Sequence, residues 1–346
     1  MSTNKILVTG SEGYIGSILM PMLIDNGYEP TGLDICYFAD GNLIDYERTQ
    51  HKIIKKDLRD LTIEDIKDRG FDAVIHLAAL SNDPLGMLDE NLTLEINFES
   101  TIKLAKLAKK SGIKRFIYSS SCSLYGAGSG IQLTEKAVPN PQTSYGKSKI
   151  LSEIGLSKLA DDNFSPVYMR NATAYGISPR MRFDLVVNSL AGYAKVENKI
   201  KILGDGKPWR PLVHIKDISM AMITALKSDR DVIHNQSFNI GDNNENYQIR
   251  QIATVIKDNY YKDCEITIAK NDASDARDYN VCFDKMNNIL GYKCKNLLSN
   301  SIIDIGKKYE LANLDEKIFS NRLYTRLNQI KYLLDNKLIN EQLKYI

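Results

Sequence analysis

Two groups of residues, far apart in the chain, can together carry out redox chemistry at an alcohol carbon. Tyr145 and Lys149, in Tyr145-Gly146-Lys147-Ser148-Lys149, share one face if the segment is helical. A phenol ordinarily releases its proton at a pKa of about 10, and a lysine ammonium beside it favours the phenolate that a base at neutral pH requires. Upstream, Ser121 in Ser119-Ser120-Ser121-Cys122-Ser123-Leu124-Tyr125-Gly126 can hydrogen-bond the substrate oxygen as its proton leaves. Near the N-terminus, Gly10-Ser11-Glu12-Gly13-Tyr14-Ile15-Gly16 can hold a dinucleotide: the missing side chains let the backbone approach a pyrophosphate, and a following helix offers unpaired N–H groups. A glycine-rich turn alone, or an isolated Tyr-x-x-x-Lys pair, occurs often by chance. Their combination specifies hydride transfer at a carbinol or ketone.

These residues need a scaffold, and the first half of the chain alternates short apolar runs with helical patterns. Lys5–Thr9 reads as a buried strand, residues 14 to 26 as a helix ended near Gly27, and Glu29–Asp34 as a second strand. Lys52–Lys56, Ala73–Leu77 and Arg115–Ser119 read as further strands, with a helix from about Leu92 to Lys110. The alternation predicts an α/β fold, a Rossmann-type doubly wound parallel sheet, with ligands at the carboxyl ends of the strands. Each motif named here follows one of those strands.

Asp34, at the end of the second strand, can accept hydrogen bonds from the adenosine ribose and would repel a 2′-phosphate, so the expected cofactor is NAD and not NADP. Asp57, in Lys56-Asp57-Leu58, either meets the adenine edge or is an exposed loop acid. His76 and His214 lie in strand-like runs and are read as scaffold. No His, Asp, Glu or Cys cluster has metal-ligand spacing, so no metal is expected.

The chain resembles the extended short-chain dehydrogenases/reductases of the nucleotide-sugar epimerase/dehydratase family. The resemblance runs from Gly10 through His76-Leu77-Ala78-Ala79, Ser121, Tyr145 and Lys149 to Arg210-Pro211-Leu212-Val213-His214 and about Gly291. It implies a smaller C-terminal substrate domain, Tyr145 as base, and NAD held throughout the cycle along Gly10, Gly13, Tyr14, Ile15, Gly16, Asp34, Asp57, Leu58, Leu77, Ala78, Ala79, Tyr145 and Lys149. It also implies a nucleotide diphospho-sugar that gives up hydride from C4. Dehydratases of the family carry an Asp-Glu pair where this chain has Cys122-Ser123, so dehydration is not expected. A 4-epimerase working through a transient 4-keto sugar is the leading expectation. A 4-dehydrogenase or 4-ketoreductase remains open, and a non-catalytic NAD-binding regulator is the reading from another class.

For the sugar nucleotide, the resemblance points to Ser121, to Thr173 where galactose epimerases place an asparagine, and to Arg180, Asn188 and Arg210, the last as a phosphate clamp. Arg277, in Asp275-Ala276-Arg277-Asp278-Tyr279, is offset from the usual family arginine. The Ser178-Pro179-Arg180-Met181-Arg182 stretch, taken with Arg277-Asp278-Tyr279, is similar to a subgroup that includes a GDP-manno-heptose 4-dehydrogenase. GDP-linked or heptose substrates and a surface-polysaccharide setting are therefore credible. The resemblance further implies a homodimer through a four-helix bundle formed by the helices near 92–110 and 145–160.

The expected organisation is a Rossmann domain over 1–174 to which the chain returns around 212–242, with Leu212–Ile215 as a strand. An interleaved substrate domain covers 175–311 and a helical extension 312–346. In the extension, Leu323, Leu327, Ile330, Leu334 and Leu338 recur at helical spacing, read as packing on the same subunit. With 45 basic and 43 acidic residues, net +2, the chain has no footprint for nucleic acid or for a membrane surface. Five cysteines without a Cys-x-x-Cys pair read as reduced. No signal segment and no apolar run of about 18 residues stands out, which makes the cytoplasm the expected compartment.

Overall fold

The structure is a computed structural model that describes residues 4–44, 51–81, 89–126, 132–269 and 277–346. Six strands of the N-terminal half are β1 (Lys5–Thr9), β2 (Glu29–Asp34), β3 (Lys52–Lys55), β4 (Ala73–His76), β5 (Arg115–Ser121) and β6 (Ser165–Asn171). Three short strands follow, β7 (Thr173–Tyr175), β8 (Lys199–Leu203) and β9 (Trp209–His214), then β10 (Gln236–Ile240), β11 (Asn246–Gln248) and β12 (Glu265–Ala269). The main sheet is parallel, in the order β10-β6-β5-β4-β1-β2-β3. Strand order reverses between β1 and β4, which opens a crevice at their carboxyl ends.

The sheet is buried on both faces because its strands are apolar at successive positions. Ile6 and Val8 of β1 point into one core with Leu19, Met20 and Leu23 from the helix Gly16–Asp25 and Ile218 and Met222 from the helix Ile215–Lys227. Leu7 points the other way, to Leu104, Ala108 and Leu156 from the helices Ser100–Lys110 and Ser144–Ser157. Such two-faced burial accounts for continuous apolar runs in place of an alternating pattern. A third core gathers beneath the smaller sheets β11-β9-β7 and β12-β8 and the helices Val186–Glu197, Ile249–Asn259 and Leu298–Leu311. Tyr14 joins this third core, so the glycine-rich turn touches both parts of the molecule.

Several elements differ in detail from the expectation. The first helix begins at Gly16, leaving Tyr14 and Ile15 in the turn, and β5 runs on to Ser121. The strand expected over Leu212–Ile215 is Trp209–His214, and Ile215 opens the next helix with His214 as its cap. The helix expected from Leu92 begins at Glu90 and contains a π-helical turn, Glu95–Glu99. That turn accommodates Asn97, whose buried amide accepts from Leu80 N at 2.7 Å and donates to Leu80 O and Ser148 Oγ, both at 3.2 Å.

The extension comprises two short turns, Glu316–Phe319 and Arg322–Tyr324, and the ten-residue helix Arg326–Asp335, then a turn at Lys337 and a bridge from Ile339 to Tyr345. Ile330, Leu333, Ile339 and Leu343 pack on Tyr37 and Leu80 of the same chain, whereas Leu338 is exposed because the helix has already ended.

A buried ion pair ties the sheet to the helix Ser144–Ser157. Arg170 of β6 grips Glu153 through Nε and Nη2 at 2.7 to 3.2 Å, and its Nη1 donates to Tyr125 Oη at 3.0 Å. Tyr125 in turn donates to Asn239 of β10 at 2.7 Å. Replacing Arg170 with Met strands the Glu153 carboxylate, and the expected cost is about 3–5 kcal/mol, read as a lowered urea midpoint. Glu153→Gln combined with Arg170→Met should recover part of that loss; a single variant within about 1 kcal/mol of the parent would contradict this account.

Candidate active site

The crevice at the strand-order reversal is a cleft with about 1670 Å³ of space not filled by protein, its open mouth included. The glycine-rich turn, Asp34, Ser121, Tyr145 and Lys149 all line it. Gly10 leaves β1 at φ +74°, and a Cβ there would stand 2.8 Å from Ala78 N at the end of β4; a Cβ on Gly16 would stand 2.2 Å from Gly10 O. Bare backbone is thus required to close the turn, and the N-terminus of the helix Gly16–Asp25 faces the cleft.

Asp34 is half-buried at the end of β2 and accepts from Glu12 N at 2.9 Å and Cys36 N at 2.7 Å. Burial raises its pKa and the two N–H donors oppose the rise. Asp57 also lines the cleft, but Arg59 holds it at 2.7 Å, so its carboxylate is shared with an internal partner. Ile15, Leu58, Leu77 and Ala78 supply apolar wall. A helix N-terminus for a diphosphate, a carboxylate for ribose hydroxyls and an apolar slot between strands fit NAD. That cofactor supplies a hydride acceptor and donor when bound.

The catalytic candidates converge from two elements. Ser121 closes β5 and caps the following turn, its Oγ accepting from Ser123 N at 3.2 Å. Thr143 caps the helix Ser144–Ser157 by accepting from Gly146 N at 3.1 Å, which places Tyr145 in the first turn and Lys149 one turn on. Lys149 is buried; its Nζ donates to Ser119 O at 2.6 Å and lies 5.5 Å from the centre of the Tyr145 ring. Burial lowers its pKa to about 7. A phenolate forming beside it would hold the proton on the ammonium.

Cys122 does not line the cleft: it is fully buried and its thiol donates to Arg170 O at 3.1 Å. Burial pushes the thiol pKa up, so it is no proton donor for elimination at neutral pH. His76, held between Thr9 at 2.6 Å and Thr101 at 2.7 Å, and His214, which accepts from Lys216 N at 3.1 Å, are both kept neutral by burial, at about 3 and about 4.

The arginines and Asn188 are arranged differently from the expectation. Thr173 and Arg277 line the cleft; Asp275 and Ala276 lie outside the described residues. Asn188 is absent from the cleft lining, because its amide accepts from Gly176 N at 3.1 Å and donates to Tyr14 Oη and Arg182 O. Arg180 is likewise turned inward, to Glu12 at 3.3 Å and the Gly41 carbonyl. Arg210 donates to the carbonyls of Trp209 and Arg277 and stacks near Tyr279, so it acts behind Arg277 and not on the wall itself. The walls also hold Tyr37, Phe38, Asn171, Arg182, Tyr279 and Arg326, none of which the sequence assigns to the site, although Tyr279 closes the quoted Arg277-Asp278-Tyr279 stretch. Arg182 sits within the quoted Ser-Pro-Arg-Met-Arg stretch, whereas nothing local to Arg326 marks it.

Among the described residues, no group of three or more His, Cys, Asp or Glu could hold a metal, and no helix is long and apolar enough to cross a membrane. All five cysteines are free.

Residues 6–241 match the profile of the NAD-dependent epimerase/dehydratase family. UDP-glucose 4-epimerase of Corynebacterium glutamicum is 26% identical over 270 residues, 73% of this chain and 80% of that protein. Its Bacillus subtilis counterpart is 28% identical over 269 residues, 68% and 76% of the two chains. In fold, the chain is similar to UDP-glucose 4-epimerase of Thermotoga maritima, solved with UDP-glucose (TM-score 0.78, 24% identity, 89% of this chain and 99% of that one). It is also similar to MoeE5 in complex with UDP-glucuronic acid and NAD (TM-score 0.77, 23% identity, 89% and 100%). The chain belongs to the NAD-dependent epimerase/dehydratase family and is an enzyme of the extended short-chain dehydrogenase/reductase type.

Lys149 gives a pH test. Its folded pKa of about 7 lies below the ordinary 10.5, so between those values the unfolded chain binds the extra proton and stability rises with pH. The burial penalty is complete below about pH 7 and gone above about 10.5. For the cofactor-free protein, the stability advantage of Lys149→Met over the parent should therefore shrink across that window in urea titrations. A pH-independent difference would contradict the assignment.

Proposed function

We propose that this enzyme is a nucleotide-sugar 4-epimerase. The observation that carries the reading is the convergence of Ser121, Tyr145 and Lys149 on the cleft that the glycine-rich turn opens, while Cys122, in the place of a dehydratase acid, is sealed behind it. The UDP-glucose 4-epimerases among its relatives support the same reaction.

In this reading the Tyr145 phenolate takes the proton of the sugar 4-hydroxyl, and Ser121 Oγ orients that oxygen. Lys149, fixed on Ser119 O, stabilises the phenolate by its charge. NAD, held along the glycine-rich turn and Asp34, would supply the hydride acceptor and donor at C4. Once the keto sugar has turned its other face to the cofactor, Tyr145 gives its proton back to the oxygen, and the C4 configuration is inverted with no net oxidation. Arg182 and Arg277, two of the arginines that line the cleft, fit the phosphates of the sugar nucleotide. Thr173 beside them would contact the sugar.

A homodimer fits the same reading. Phe98, Ile102 and Leu107 line a shallow groove on the helical face next to Ser144–Ser157, whose Ile154 is 50% exposed. Such apolar positions suit a bundle with a second copy.

The test is a panel of UDP-, GDP-, CDP- and dTDP-sugars incubated with purified protein, with recovered sugar read by NMR and reduced nicotinamide by absorbance. The expected result is a C4-inverted sugar with no lasting reduced cofactor. One stable equivalent of reduced cofactor per site, with a ketone released, would establish a 4-dehydrogenase instead. Tyr145→Phe should lower kcat by about 10²–10⁴-fold with unchanged cofactor content; a smaller loss would remove Tyr145 from the role of base.

A further inference from the structure

The segment after Leu311 lies beyond the residues that the family profile matches, yet it reaches the cofactor cleft. Arg326, at the start of the helix Arg326–Asp335, lines the same cleft as Gly13, Asp34 and Arg182 and is only 3% exposed. Its guanidinium stacks 4.0 Å from the centre of the Phe38 ring and donates to Arg180 O at 3.3 Å. Of the carboxylates in its field, Asp34 accepts from two backbone N–H groups, and Asp184, gripped by Arg182 at 2.9 to 3.0 Å, also accepts from the backbone N–H of Arg326. Burial, with Arg182 and Arg180 adding to it, lowers the Arg326 pKa to about 9, a cost that an anion entering the cleft would relieve.

The rest of the segment fastens this arginine to the loop that follows β2. Gln329 Nε2 donates to Tyr37 O at 3.0 Å, Tyr37 Oη donates to Leu343 O, and Lys344 Nζ reaches Asp60 at 2.6 Å. Ile330, Leu333, Ile339 and Leu343 close an apolar cluster over Tyr37 and Leu80. Tyr37, Phe38, Leu80 and Arg326 are all cleft residues as well. The loop that positions Asp34 for the adenosine ribose is therefore held from outside by the C-terminus.

We propose that the C-terminal segment is a strap over the adenosine end of the cofactor cleft, and that Arg326 is its ligand contact, pairing with the diphosphate of the dinucleotide. A guanidinium is suited to this because its planar fork presents several donors to phosphate oxygens at once. The buried guanidinium of Arg326 then faces a group with two negative charges. The strap retains the dinucleotide between turnovers whatever sugar the enzyme acts on.

The test uses the full chain stripped of its cofactor. In calorimetric titrations, Arg326→Met, which keeps a long side chain on Phe38, should weaken ADP-ribose and ADP by about 10- to 100-fold, with Arg326→Lys intermediate. Adenosine, measured by competition, should bind as in the parent. Equal ADP-ribose affinity in parent and variant would overturn the proposal. So would an equal loss for adenosine, which would make Arg326 a prop for Phe38 and no more. Hydrogen exchange of the parent is the independent check, because it needs no variant to fold: ADP-ribose should slow exchange across residues 322–346. Unchanged exchange there would also overturn the strap.

Discussion

The site depends on one close approach of backbone to backbone, where Gly10 leaves β1 against Ala78 at the end of β4. Any side chain at Gly10 would come within 2.8 Å of the Ala78 nitrogen, and one at Gly16 within 2.2 Å of the Gly10 carbonyl. The connections that follow parallel strands on either side of an order reversal leave in opposite directions, and this turn occupies the gap between them with no side chain in the way. Asp34 on β2 and Ser121 on β5 end up on the same rim because all of these strands run parallel from a common edge.

Behind the rim, the side chains of Tyr145 and Lys149 are positioned by buried polar contacts. The Glu153–Arg170 pair joins the helix bearing Tyr145 to β6, while Lys149 is fixed by the Ser119 carbonyl of β5. Asn97 reaches across from a π-helical turn to Ser148 on that helix and to both backbone groups of Leu80. Burial of these polar groups is costly unless every one is partnered, so they fix the helix in one position. Side chains fixed in this way need no rearrangement when a ligand enters the cleft.

Much of this was legible in the sequence. The parallel sheet could be read because its central strands β1 and β4 are buried on both faces and so apolar at successive positions, and the glycines, Asp34, Ser121, Tyr145 and Lys149 could be placed because each sits at a strand end or a helix start. What could not be read was long-range. Asn188 and Arg180 look like ligand groups in isolation, but Tyr14, Gly176 and Glu12, remote in the chain, take up their polar atoms. Arg326 looks like one more polar residue beside an amphipathic stripe, and only the path of the chain back across β2 brings it to the cleft. The π-helical turn likewise depends on Leu80, which local propensity does not include.

The proposed epimerisation requires that one and the same hydride be removed from, and returned to, the sugar C4 carbon where Tyr145 and the dinucleotide turn converge. The most direct measurement is the fate of deuterium placed at C4 of a nucleotide sugar that the enzyme turns over. The account predicts that both epimers retain the label at C4 with none released to water. Loss of the label to solvent would contradict it, since the carbon would then exchange a proton and not a hydride.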